Sequence, residues 1–148
     1  RSQMAAYNNG SRGCWHAGGA STDIIDYVTI ASLGNASDFG DATVGRAGLP
    51  GGCSNGTRGA AGGGTSNSTV IDFVIIASLG DATDFGDLNV GRTATGACSD
   101  GTKGLWGGGG GSSLDDIDVV NMASSGNATD FGNLTVGRST TSACSGDD

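Results

Sequence analysis

The chain contains no glutamate: all fifteen acidic residues among its 148 are aspartate. It has one lysine (Lys103), one glutamine (Gln3), one histidine (His16) and one proline (Pro50), and aromatic residues make up only 5%. Apart from alanine and a few leucines, the residues that favour helix interiors are almost missing. That argues against a helical bundle, a coiled coil or a Rossmann-type domain. No apolar run approaches the roughly 18 residues of a membrane-crossing helix, which excludes one. The glycines follow no three-residue period, which excludes collagen. Seven basic residues, scattered singly against a net charge of −8, exclude nucleic acid and anionic membrane as partners, because both require clustered cations.

What is present is turn chemistry. There are thirty glycines, and Asp, Asn, Ser and Thr dominate the polar residues, all of them turn and cap formers. Hydrophobic residues (36%) gather in short β-branched clusters that can build a core.

The chain repeats itself. Residues 25–46, 71–92 and 117–138 align without gaps at a period of 46, and 13 of their 22 positions are identical in all three. A second shared block reads CSNGTRGAAGGG from Cys53 and CSDGTKGLWGGG from Cys98. A degenerate copy starts at Tyr7 and a truncated one at Cys144. Within a repeat the pattern is β. Residues 71–76 form a strand-length apolar run, residues 79–81 a hairpin turn, and residues 83–90 the returning strand anchored by Phe85 and Leu88. Further short strands are expected at residues 103–107 and 95–99. Four strands in 46 residues match the arithmetic of a propeller blade.

The expected fold is therefore all-β, a propeller of three 46-residue blades in a single domain spanning 1–148. Blades 25–70 and 71–116 are complete, and 117–148 is completed by 1–24, so that pairing of the N- and C-terminal strands closes the ring. Closure would remove exposed sheet edges. A small closed ring, half of a six-bladed ring of two chains, and a piece of a longer array all stay open.

The residues resemble kelch-type propeller repeats. The similar features are glycine runs after an apolar strand (residues 62–64 and 107–111), a first aromatic (Tyr27, Phe73), a second (Phe39, Phe85, Phe131), and an arginine seven residues later (Arg46, Arg92, Arg138). The aromatics stand 12 residues apart, longer than the kelch spacing, and the second is Phe where kelch repeats carry Trp. The repeated phrase ID-[YF]-[VI]-x-I-A-x-x-G-N-A-x-D-F-G-D-L is also similar to repeats in structural and tail-appendage proteins of aquatic tailed bacteriophages. That resemblance implies a virion or extracellular component rather than an enzyme.

Several residues carry competing readings. Asp38, Asp41, Asp84, Asp87 and Asp130 sit at short spacing beside glycine turns. They read as Asx-turn chemistry, with calcium as the alternative. Arg46, Arg92 and Arg138 read as inter-blade structural bridges, partnered by Asp26, Asp72 and Asp118 or by Asp38, Asp84 and Asp130. The alternative is a cationic ring for an anionic glycan. Phe39, Phe85 and Phe131 read as inter-blade anchors. Trp15 and Trp106 are candidates for stacking on sugars. Cys53, Cys98 and Cys144 occupy equivalent positions and read as small thiols packed between blades, with a ring-closing Cys14–Cys144 bond as the alternative. His16 stands where the other repeats have Gly62 and Gly107, and reads as structural. No catalytic residue, cofactor or metal is expected. The expected function is a non-enzymatic virion docking module, in a tail, fibre or capsid decoration, whose partners are other virion proteins or copies of itself. The alternative is a glycan-binding, host-recognition or secreted surface module.

Overall fold

The computed structural model describes residues 2–145. Twelve strands form three four-stranded antiparallel sheets in chain order, with no helix among the described residues. The first sheet is β1 (Ala5–Asn8), β2 (Arg12–Gly18), β3 (Thr22–Thr29) and β4 (Ser37–Arg46). The second is β5 (Gly51–Ser54), β6 (Arg58–Gly62), β7 (Val70–Ile75) and β8 (Thr83–Asp87). The third is β9 (Gly96–Ser99), β10 (Lys103–Gly107), β11 (Asp116–Asn121) and β12 (Thr129–Asn133). Each sheet is a meander, with sequential strands as neighbours.

The first turn of each sheet is an Asx turn. The side-chain oxygen of Asn9 accepts from the backbone N–H of Ser11 (3.0 Å) and Arg12 (2.8 Å). Asn55 does the same for Thr57 and Arg58, and Asp100 for Thr102 and Lys103. Those backbone bonds hold the Asp100 carboxyl below its ordinary range. An Asx residue followed by glycine therefore sets the β1–β2, β5–β6 and β9–β10 registers locally.

This local pairing decides the sheet boundaries. The sheets run 5–46, 51–87 and 96–133, half a repeat out of step with the frame drawn from residue 25. Among the described residues, the strand exchange expected between residues 1–24 and 117–148 is absent. β1 pairs with β2 in its own sheet, and β12 pairs with β11. The hairpin block supplies two strands that continue into the next apolar run, so each sheet is complete without a strand from the other end of the chain. The arrangement is propeller-like, but among the described residues no strand pairing closes it.

Two cores lie between consecutive sheets. Tyr7, Cys14, Ile25 and Phe39 of the first sheet pack on Val74 and Ile76 of the second. Cys53, Ile71 and Phe85 of the second pack on Trp106, Val120 and Met122 of the third. The same repeat residues thus build both junctions. The segment before the last strand does more than turn. Gly80 N–H donates to Phe39 O (2.9 Å) and Ala82 N–H to Asp41 O (2.7 Å), so residues 80–82 pair with the outer strand of the preceding sheet. Gly126 and Ala128 repeat this on Phe85 and Asp87, both at 2.7 Å. Gly40 and Gly86 allow it: a Cβ there would stand 2.5 Å and 2.6 Å from the backbone of Gly80 and Gly126, and their φ values are +143° and +136°. Residues 79–81 are thus an inter-sheet clamp, not the tight hairpin expected from sequence, and β8 ends at Asp87 rather than at residue 90.

Candidate functional site: the junctions between sheets

The chemistry of the molecule is concentrated where one sheet meets the next. Arg46 and Arg92 are buried there, each reaching 26 residues forward to an aspartate of the following sheet. Arg46 Nη2 donates to Asp72 Oδ1 at 2.7 Å, and Arg92 Nη2 to Asp118 Oδ2 at 2.8 Å. Each guanidinium also donates to carbonyls of the following sheet: Arg46 to Gly63 and Val70, and Arg92 to Trp106, Gly108 and Asp116. The carboxylates receive further donors from the preceding sheet. Thr43 N–H and Oγ1–H donate to Asp72 Oδ2, and the N–H groups of Asn89 and Val90 donate to Asp118 Oδ2. A buried ion pair persists when its remaining donors and acceptors are satisfied, and most are here.

The first junction carries one extra group. His16 is fully buried, with Nε2 3.2 Å from Asp72 Oδ1 but not aligned for a hydrogen bond. Tyr7 OH lies 2.9 Å from its Nδ1. Burial holds the Tyr7 phenol protonated, its pKa well above the ordinary value. The phenol and Nδ1 share one hydrogen bond, and Nε2 faces the carboxylate. Burial alone would raise the Asp72 pKa. The neighbouring His16, the Arg46 charge and the Thr43 hydroxyl outweigh it and lower the pKa to about 2. Tyr7, His16 and Asp72 have the residue types of an acid–base relay, yet all three are sealed between sheets.

The other sequence candidates separate by environment. Phe39 and Phe85 are buried, edge-on to Tyr27 (5.8 Å) and Phe73 (5.7 Å). Phe131, their counterpart, is 53% exposed. Arg138 is likewise exposed, and among the described residues its guanidinium has no carboxylate partner. Trp106 is fully buried and donates from Nε1 to Gly51 O at 3.0 Å. No ring face is left for a sugar, which corrects its candidacy as a stacking platform. Trp15, at the same place in the first sheet, lines a shallow pocket of about 300 Å³ with Met4, Asp26, Val28 and Ala36.

Asp38, Asp41, Asp84, Asp87 and Asp130 are exposed on β4, β8 and β12. Partial desolvation raises the Asp41 pKa, with Asp23, Asp81 and Asp38 adding repulsion. Among the described residues no group of three acidic, histidine or cysteine side chains is placed to share an ion. The turn residues instead join sheets: Asp41 N–H donates to Asp81 Oδ1 (3.0 Å) and Asp87 N–H to Asn127 Oδ1 (3.1 Å). All four cysteines are free. Cys14 lies in the first core and Cys144 is exposed at the far end, so the alternative of a ring-closing bond is set aside. Burial raises the Cys14 pKa to about 11 and pushes Cys53 higher still.

Sequence reasoning missed the clamp of residues 80–82. Its signal was the glycine after the second aromatic, present in all three repeats inside a strand, where glycine marks a close backbone approach. No protein-family model matches the chain, and no curated protein matches it. Fold and junctions together define a β-repeat protein whose polar groups, repeated in register, join one sheet to the next.

Proposed function

We propose that the three sheets are blades of a kelch-like array and that the chain is a non-enzymatic docking module of a virion, in a tail, fibre or capsid decoration. The observation that carries this reading is the placement of the polar groups. Arg46, Arg92, Asp72, Asp118 and the single histidine are buried at the junctions, where they hold rigid sheets together and where no solute reaches them. What is offered to partners is loop and end-face surface on a stiff scaffold. The test is immunogold electron microscopy of the source with an antibody against this chain. Label on particles or their appendages is expected, and its absence from both would refute the reading.

Trp15 favours a second reading, a glycan-binding surface, because its half-buried ring lines a pocket beside the Asp26 carboxylate. Glycan-array binding that Trp15→Ala abolishes would establish it, and an array with no binder would dismiss it.

A further inference from the structure

The third sheet leaves open, apart from the stretch along β9 that residues 141–145 cover, the surface that the first and second sheets bury. Phe131 is exposed where Phe39 and Phe85 are buried. Gly132 has the φ of its counterparts, +140°, but no atom lies within 4 Å of where its Cβ would stand. Together with Leu105, Ile117, Leu134 and Arg138, Phe131 lines a pocket of about 390 Å³. The first sheet displays the complementary surface. Val28 is half-buried and Ile30 is 54% exposed, whereas their counterparts Val74, Val120, Ile76 and Met122 are buried in the two junctions. The two end faces carry, at repeat-equivalent positions, the residues that build the two sides of an internal junction.

We propose that the third sheet of one chain docks the first sheet of a second copy, head to tail, reproducing the internal junction. The inference rests on the docking-module reading and names its partner. The internal junctions dictate the contacts. The second copy's Gly34 and Ala36 N–H groups donate to Phe131 O and Asn133 O, as Gly80 and Ala82 donate to Phe39 and Asp41. Arg138 reaches the second copy's Asp26, which stands where Asp72 and Asp118 stand. Phe131 is covered by the second copy's Val28 face. The contact uses different patches on the two copies, so it is heterologous and propagates or closes into a ring.

One segment of the chain lies in the way. Residues 141–145 run along the third sheet where the first strand of a following sheet would lie. They are held by Thr141 N–H to Ala94 O (3.0 Å), by Gly96 N–H to Thr141 Oγ1 (2.7 Å) and by Ser99 N–H to Ser145 Oγ (2.8 Å). Most of their residues are exposed. The Thr141 hydroxyl also donates to Gly107 O at 2.8 Å. Docking displaces this segment in favour of the second copy's β1, whose strand pairing replaces its bonds.

Sedimentation velocity of the 148-residue chain tests this at physiological salt, where self-repulsion from the net charge of −8 is screened. The mass should rise above 14.4 kDa with concentration. Arg138→Ala should weaken association by more than about tenfold. Phe131→Asp and Val28→Asp each disable one face and should each be monomeric. Mixed together, they retain one working pair of faces and should stop at a heterodimer of twice 14.4 kDa. Thr141→Pro removes the Thr141 N–H and hydroxyl bonds to Ala94, Gly96 and Gly107 that hold the blocking segment, and should tighten association. A folded wild-type chain that stays at 14.4 kDa at every concentration overturns the proposal, as do single variants that associate like wild type or a mixture that fails to pair. A monomeric chain found on virions by immunogold would refute self-docking while leaving the docking-module reading intact. An unlabelled particle would do the reverse.

Discussion

Arg92→Ala is the most informative single perturbation of the fold. The side chain is fully buried and donates through Nη2 to Asp118 (2.8 Å) and through Nη1 to Asp116 O (3.0 Å) and Gly108 O (3.1 Å). Truncation leaves the Asp118 carboxylate buried with only two backbone donors, and it leaves carbonyls of the third sheet without theirs. Breaking a buried pair by removing one partner costs about 3–5 kcal/mol. Some water entering the space would soften the loss of the carbonyl donors, so about 4 kcal/mol is the working value. With a urea slope of about 2 kcal/mol/M, the midpoint should fall by roughly 2 M. The repeat provides its own control. Arg138 has the same sequence surroundings but is exposed, so Arg138→Ala in dilute, monomeric protein should change stability by less than about 0.5 kcal/mol. Replacing both partners, Arg92→Met with Asp118→Leu, removes the uncompensated charge and should recover most of the loss. Urea titration followed by far-UV circular dichroism and by the fluorescence of Trp15 and Trp106 reads all four proteins. If Arg138→Ala costs as much as Arg92→Ala, or if the double variant is worse than the single, the junction reasoning is wrong.

Other perturbations test the remaining contacts. Asp72 has its pKa lowered from 3.8 to about 2. Its ionised form therefore contributes about 2 kcal/mol above pH 4 that is lost as the pH falls from about 4 to 2. Asp72→Asn should lower stability at neutral pH and flatten that acid limb in urea titrations at stepped pH; an unchanged limb would count against the assignment. Gly86→Ala puts a Cβ 2.6 Å from the Gly126 backbone at a φ of +136°, and should cost at least about 3 kcal/mol of thermal stability. Gly132→Ala has only the φ strain, about 1–2 kcal/mol, so the gap between the two variants measures the clamp. Trp106→Ala should cost about 3–5 kcal/mol in the same assay. Thiol labelling of native protein should modify Cys144 first and Cys98 next. Cys14 and Cys53 should react only on unfolding, because burial both shields them and raises their pKa values.

Much of the local structure was legible in the sequence. Residues 103–107 were expected as a strand and are β10. The run 71–76 is β7 shifted by one residue, and 95–99 contains β9. These elements follow from apolar clustering between turn formers, which is a property of neighbouring residues. The sheet frame was less legible. A 46-residue period fixes the spacing of repeats but not where one sheet ends, because any starting point gives the same period. The Asx turns at Asn9, Asn55 and Asp100 decided it, by pairing each hairpin with the run that follows.

The shortage of helix formers and the period were enough to determine an all-β repeat. They could not say which copies of a residue are buried. Arg46, Arg92 and Arg138 share their sequence surroundings, as do Phe39, Phe85 and Phe131. Yet two of each set are sealed in junctions and the third lies open on an end face. Burial in a stacked array depends on whether another sheet follows in space, and only the tertiary structure holds that information. It made Arg46 and Arg92 buried ion pairs, sealed Trp106 in a junction, and left Arg138 and Phe131 exposed on an end face.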